Sequence, residues 1–180
     1  MGTAVETAAV NWLKLNGFPE AERLPLAGAA DKGDVRLCRH PTIIAECKRA
    51  QRGVQLVPWM RELADEVDNA EALMGILIAK QKGVGDKRVG RWVCGMGHDA
   101  FMVLYGRWLS VSQWFDVESV SPMKVNSQYV PMLDSAGEVP FARVEPIRQH
   151  PCSTQVGTVF LGPLKQFTMM IVNAGYGGEV

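Results

Sequence analysis

The stretch Ile43-Ile44-Ala45-Glu46-Cys47-Lys48 decides how this chain folds. Ile43, Ile44 and Ala45 make a short apolar run led in by Pro41-Thr42, which reads as a buried strand. Side chains alternate across a strand, so Glu46 and Lys48 project from one face while Ala45 and Cys47 project from the other. A carboxylate and an ammonium at the end of a buried strand cost desolvation, and the chain needs a reason to place them there. Upstream, Gly33 precedes a second strand, Asp34-Val35-Arg36-Leu37-Cys38, and Arg39-His40-Pro41 is a tight connection. The pair predicts an antiparallel hairpin that brings Asp34 to the sheet edge carrying Glu46 and Lys48.

Working outward, 180 residues fit one domain, or one domain with an appendage. The 47% apolar and 21% charged content is that of a soluble globular protein with a real core. No stretch is long and apolar enough to span a membrane, and the N-terminus lacks the pattern of a signal peptide. Cys38, Cys47, Cys94 and Cys152 form no CxxC pair. Together these features predict a reducing, cytoplasmic setting without disulfides or zinc. Net charge is zero, which argues against a strongly basic nucleic-acid binder. Locally, however, Lys80, Lys82, Lys87, Arg88 and Arg91 are opposed only by Asp86, a patch able to bind phosphates.

The periodicity predicts a first helix over Thr3 to Asn16, with Val5, Ala9 and Trp12 on its apolar stripe and Gly17 ending it. Phe18 to Leu26 reads as a strand, and Ala27 to Gly33 as a glycine-rich loop. A second helix is expected from Gln55 to Leu73. Its apolar face carries Leu56, Met60, Leu63 and Val67, and its other face carries Glu62, Asp65, Glu66, Asp68 and Glu71. That acidic face reads as solvated surface and is assigned no metal ligands. Gly75 to Lys80 reads as the strand closing a strand–helix–strand crossover beside the Glu46 strand. Arg91 to Cys94 and Phe101 to Tyr105 read as two further strands. Trp108, Val111, Trp114 and Phe115 suggest a short amphipathic helix, and Thr158 to Val172 is apolar enough to be buried against the core or a partner subunit. His40, His98 and His150 have no metal-ligand spacing.

Asp34, Glu46 and Lys48 suit metal-dependent phosphodiester chemistry. Two carboxylates can hold Mg²⁺, a hard cation that prefers oxygen ligands. The ion can polarise a phosphoryl oxygen and activate a water. Lys48 can orient or deprotonate that water, or stabilise the transition state as a point charge; the sequence does not choose. The competing reading of Glu46-Cys47-Lys48 is an ordinary salt bridge at a strand end. Glu6 is either a first-turn acid favoured by the helix dipole or a third carboxylate directed at the metal. Gln51 lies within reach of the phosphate or a metal-bound water. Candidate DNA contacts are Arg23, Lys32, Arg49, Arg52, Lys80, Lys82, Lys87, Arg88 and Arg91. Trp59 either stacks on a base or packs in the core or a dimer contact.

These residues resemble the PD-(D/E)xK nuclease superfamily, and more narrowly the Holliday junction resolvases of archaeal and phage type. The resemblance rests on Glu6, Gly17-Phe18, Glu22-Arg23, Gly28 to Asp34, Ile44 to Lys48 and Gly75 to Lys80. It covers residues 1 to about 105, leaving 106–180 as a C-terminal extension. It implies an α/β, restriction-endonuclease-like three-layer core: a central mixed sheet flanked by helices, with topology near αβββαβ. It further implies a homodimer acting on branched DNA with Mg²⁺, for which Mn²⁺ can substitute. Asp34, Glu46 and Glu6 would hold the metal, with Lys48 at the centre. A bacteriophage origin, and so the host cytoplasm, is implied by the resemblance alone. Gly33 stands where the family's motif has a proline. Two alternatives stay open: another structure-selective or restriction-type DNA nuclease, and a non-catalytic DNA-binding or assembly protein on the same scaffold.

Overall fold

The structure, a computed structural model, describes residues 3–51, 53–108, 120–125, 128–133, 142–144 and 159–178. In chain order its elements are α1 (Thr3–Lys14), β1 (Glu22–Arg23), β2 (Val35–Arg39), β3 (Thr42–Ala50), α2 (Leu56–Asn69), β4 (Met74–Gln81) and β5 (Val93–Gly97). Then come α3 (His98–Trp108), β6 (Val120–Val125), β7 (Gln128–Leu133), β8 (Ala142–Val144), β9 (Val159–Pro163) and α4 (Leu164–Asn173). β2 and β3 form the antiparallel hairpin expected from the sequence, with Val35 opposite Ala45 and Arg36 opposite Ile44. The α2 crossover then lays β4 parallel to β3, from Ile43 opposite Met74 to Ala50 opposite Gln81.

These strands belong to a mixed seven-stranded sheet of order β1-β2-β3-β4-β5-β9-β8, while β6 and β7 pair separately. Apolar layers cover both faces. Ala45, Cys47, Ile76 and Ile78 pack with Val5, Ala9 and Leu13 of α1 and with Phe167 of α4. Ile44, Leu77 and Ala79 pack with Leu56, Met60 and Leu63 of α2 on the other side. The fold is therefore α/β, an open mixed sheet with helices on each face. Gly75 sets how close α2 comes to the sheet. A Cβ there would lie 2.6 Å from the Val67 side chain and 2.7 Å from that of Leu63.

Three segment expectations need correction. Phe101 to Tyr105 is not a strand but part of α3. Its five apolar residues gave no period to read, and short apolar runs are ambiguous between helix and strand. Burial supplies the helical answer: Phe101 and Leu104 are buried, while Met102 and Val103 are exposed. Phe101 also stacks on Phe160 of β9, centroids 3.8 Å apart. The expected strand over Phe18 to Leu26 contracts to Glu22–Arg23, bounded by Pro19 and Pro25, which have no N–H to give a ladder. Arg91 and Trp92 precede β5 instead of opening it.

Thr158 to Val172 supplies β9, which pairs with β5, and most of α4. Residue 105, the expected end of the core, falls inside α3. Val111, Trp114, Phe115, Cys152 and His150 lie outside the described residues. Among the described residues no helix is long and apolar enough to cross a membrane.

Candidate metal centre

Asp34 takes its place from the backbone on either side. Gly33 has φ +88°, a left-handed conformation that glycine adopts freely. Proline, fixed near φ −65°, does not reach it. A Cβ at Gly33 would also come within 3.3 Å of the Ala45 carbonyl. Beyond this turn the Asp34 N–H donates to Ala45 O (3.1 Å), and the Asp34 carbonyl accepts from Leu24 N–H (2.8 Å). The side chain then reaches across the hairpin, where Oδ2 accepts the Cys47 N–H at 2.8 Å. Its carboxyl lies close enough to that of Glu46 for the two to interact electrostatically.

Glu46 and Lys48 share the face of β3 that looks at α2. Lys48 Nζ pairs with Glu46 and, at 2.7 Å, with Glu62 Oε2. Glu66 completes the group, with its carboxyl beside that of Glu46. Spacing explains the match. Glu62 and Glu66 are one turn apart on α2, rising roughly 6 Å, and Lys48 and Glu46 are two residues apart on β3, roughly 6.6 Å. Glu66 thus meets Glu46 while Glu62 meets Lys48. Oxygens of Glu46, Glu62 and Glu66 all lie within 4.8 Å of one another.

The electrostatics are those of carboxyls short of counter-charge. Burial raises the Asp34 carboxyl above its ordinary value, against the pull of the Cys47 N–H. Burial also pushes Glu46 up to about 9; Lys48 opposes this, while Asp34 and Glu66 add to it. Glu66 rises to about 7, chiefly through burial and then the neighbouring Glu62 and Asp31 carboxylates. Burial disfavours the Lys48 charge, but hydrogen bonds to Glu46 and Glu62 outweigh it and raise its pKa. Touching carboxyls must share a proton or a metal ion. The all-oxygen donor set fits a hard divalent cation such as Mg²⁺.

The acidic face of α2 is therefore not all solvated surface. Glu66 is only 4% exposed, and among the described residues its Oε2 has no hydrogen-bond donor. The available signal was position: Glu66 lies three residues past buried Leu63, on the margin of the apolar stripe, and four past Glu62.

The other candidates are less concentrated. Glu6 is buried on α1 and lies within electrostatic range of Asp34, but its carboxylate is paired with Arg23. The same pair engages Arg23. Lys80 pairs with Asp86 and sits 5.5 Å over the Trp92 ring. Lys32, Lys82, Lys87, Arg88 and Arg91 are exposed. Arg52 lies outside the described residues. Trp59 is half-buried and packs against the α2-side core. Arg49 and Gln51 join Lys80, Lys82, Gly83 and Gly85 around an open groove of about 680 Å³. Because Arg49 stands opposite Lys80, directly after Lys48 opposite Ala79, the groove begins one register step beyond the carboxyl cluster.

The chain matches no known protein family, no curated protein and no solved structure. Its own side chains carry the functional reading.

Proposed function

We propose that this chain is a Mg²⁺-dependent endodeoxyribonuclease with a restriction-endonuclease-like core, and that its substrate is a four-way DNA junction. The observation that carries the reading is the meeting of Asp34, Glu46 and Lys48 on one side of the β2–β3 hairpin. Asp34 and Glu46 would hold the ion, with Glu66 beside them on α2. When bound, Mg²⁺ supplies neutralisation of the phosphoryl oxygens and a more acidic water.

The chain's own groups do the rest. Cys47 N–H fixes the rotamer of Asp34, so that acid is oriented before substrate arrives. Lys48, held by two carboxylates, keeps its proton and is suited to orienting the attacking water or stabilising charge on the phosphate. Arg49 and Lys82 line the adjoining groove, where they would take the backbone phosphates of the strand leaving the centre. Water attack then leaves 5′-phosphate and 3′-hydroxyl ends. Preference for a junction, and action as a homodimer with two centres, are drawn from the sequence resemblance.

The test is cleavage of a synthetic four-way junction, a flap, a linear duplex and a single strand, each with and without Mg²⁺. Symmetric paired nicks on the junction, lost in Asp34→Asn, are the expected result. Preference for the flap or duplex would replace the resolvase reading by another structure-selective nuclease. Full Mg²⁺-dependent cleavage by Asp34→Asn would sink the nuclease assignment altogether.

A further inference from the structure

Lys48 has two carboxylate partners of different character. Glu46 is almost sealed from solvent, its side chain 6% exposed, and it touches Asp34 and Glu66 as well. Glu62 has a side chain 49% exposed, and the one ion pair it makes among the described residues is with Lys48, at 2.7 Å. The two acids differ in burial and in neighbours, although their oxygens lie within 4.8 Å of each other and of Glu66. In the nuclease reading Glu46 must give its charge to a divalent ion, and a divalent ion and an ammonium on one carboxylate repel each other. Lys48 then needs a second anchor, or its flexible four-carbon stem swings away from the reacting phosphate.

We infer that Glu62 is a positioning residue: its carboxylate holds the Lys48 ammonium at the reacting phosphate once Glu46 is engaged by the metal. This rests on the nuclease reading above and adds a residue to it. The geometry makes Glu62 suitable in three ways. It comes from a different element than Glu46, so the lysine is tied to both β3 and α2. It sits one helical turn before Glu66, whose burial fixes that face of α2 against the strand. Its half-exposure spares it the desolvation that burial imposes on Glu46.

The experiment compares wild type, Glu62→Ala, Glu62→Gln, Lys48→Ala and the double variant Lys48→Ala/Glu62→Ala. Single-turnover cleavage is measured alongside calorimetric binding of Mn²⁺ without DNA. Glu62→Ala should lower the cleavage rate on the order of 10- to 100-fold, with DNA KM and Mn²⁺ affinity unchanged within about twofold. Glu62→Gln, which still offers the ammonium an acceptor oxygen, should recover most of the rate. In the Lys48→Ala background Glu62→Ala should cost nothing further, because its anchor role has already gone.

A surface ion pair contributes little to stability, so Tm should move by less than about 2 °C. Full cleavage by Glu62→Ala overturns the inference. So does a tenfold loss of Mn²⁺ affinity, which would make Glu62 a ligand, and so does a loss that multiplies with that of Lys48→Ala. A wild type inert on every DNA with either metal fells the nuclease reading and this role together. An active wild type with any of those three results fells this role alone.

Discussion

On β3, Ala45 and Cys47 look into the apolar layer under α1, whereas Glu46 and Lys48 look at α2, where Glu62 and Glu66 wait for them. Both sets come from four consecutive residues of one strand, so backbone, register and depth are almost shared. One face gains free energy simply by being buried. The other spends it, holding Asp34, Glu46 and Glu66 where burial lifts each above its ordinary carboxyl range. A fold under selection for stability alone would extend the Ile44–Leu77–Ala79 layer through position 46. The strand therefore divides by parity at its centre: Ile43, Ala45 and Cys47 anchor it, whereas Glu46 and Lys48 hold the charged groups that the proposed chemistry would use, at some expense to the fold.

The largest effect expected from breaking this division is at Glu46 itself. Glu46→Gln keeps the shape of the side chain but removes the carboxyl that would have to ionise to hold a metal between Asp34 and Glu66. Mg²⁺-dependent DNA cleavage should fall by about 10³-fold or more in a single-turnover assay. The same substitution should raise the Tm of the metal-free protein at pH 8, since it replaces a strained acid by a neutral isostere. Loss of activity with gain of stability is the signature of a functional carboxylate; a variant that loses both would make Glu46 a structural residue.

Next in size is the pH dependence of the metal-free protein. Glu46, near 9, and Glu66, near 7, both start from an ordinary value of 4.5, and Asp34 is raised as well. Between pH 4.5 and 9 the folded chain holds protons that the unfolded chain has released. Stability must therefore fall as pH rises through this window, with the full contribution present only below about pH 4.5. Lys48 adds no slope there, because its raised pKa acts above 10.5. Thermal melts in EDTA should show Tm declining from pH 5 to pH 9, by several degrees at roughly 2–4 °C per kcal/mol for a chain of this size. Mg²⁺ needs the ionised carboxyls, so it should flatten the decline, stabilising more at pH 8.5 than at pH 6. A melt insensitive to pH and to Mg²⁺ would mean that the two faces of β3 differ less than their burial suggests.

How much of this was legible beforehand follows from which interactions are local. The hairpin, the crossover and the shared face of Glu46 and Lys48 follow from periods of two residues and from short-range turn chemistry, and all of them are present in the fold. Glu62 and Glu66 were visible as residues but not as neighbours, because their role depends on how α2 is rotated over β3. Gly75 helps set that docking by admitting the side chains of Leu63 and Val67, a fit that depends on how the helix lies over the strand. Glu6 shows the converse: the helix pattern placed it at the margin of the buried face, yet its partner, Arg23, is a tertiary contact. The helix at Phe101 was lost for a third reason, since continuous apolar residues carry no period until burial reveals one.

The smallest expected effect lies one residue from the largest, at Cys47, and gives the comparison its sharpest form. Cys47 donates to Asp34, which makes it look like part of the centre. But the donor is the backbone N–H; the thiol points into the α1 layer, where burial drives its pKa well above the ordinary range and leaves it inert. Replacing the side chain removes a sulfur atom from an apolar core and leaves the N–H where it was. Cys47→Ala should then cost about 0.5–1.5 kcal/mol in a urea melt and change the cleavage rate by less than about twofold, with the metal dependence untouched. Thiol alkylation of the native protein at Cys47 should be correspondingly slow, for the same burial. A tenfold fall in rate for Cys47→Ala would mean that Asp34 depends on the packing beneath the strand as well as on its backbone, and that the parity rule along β3 separates the two faces less cleanly than their side chains do.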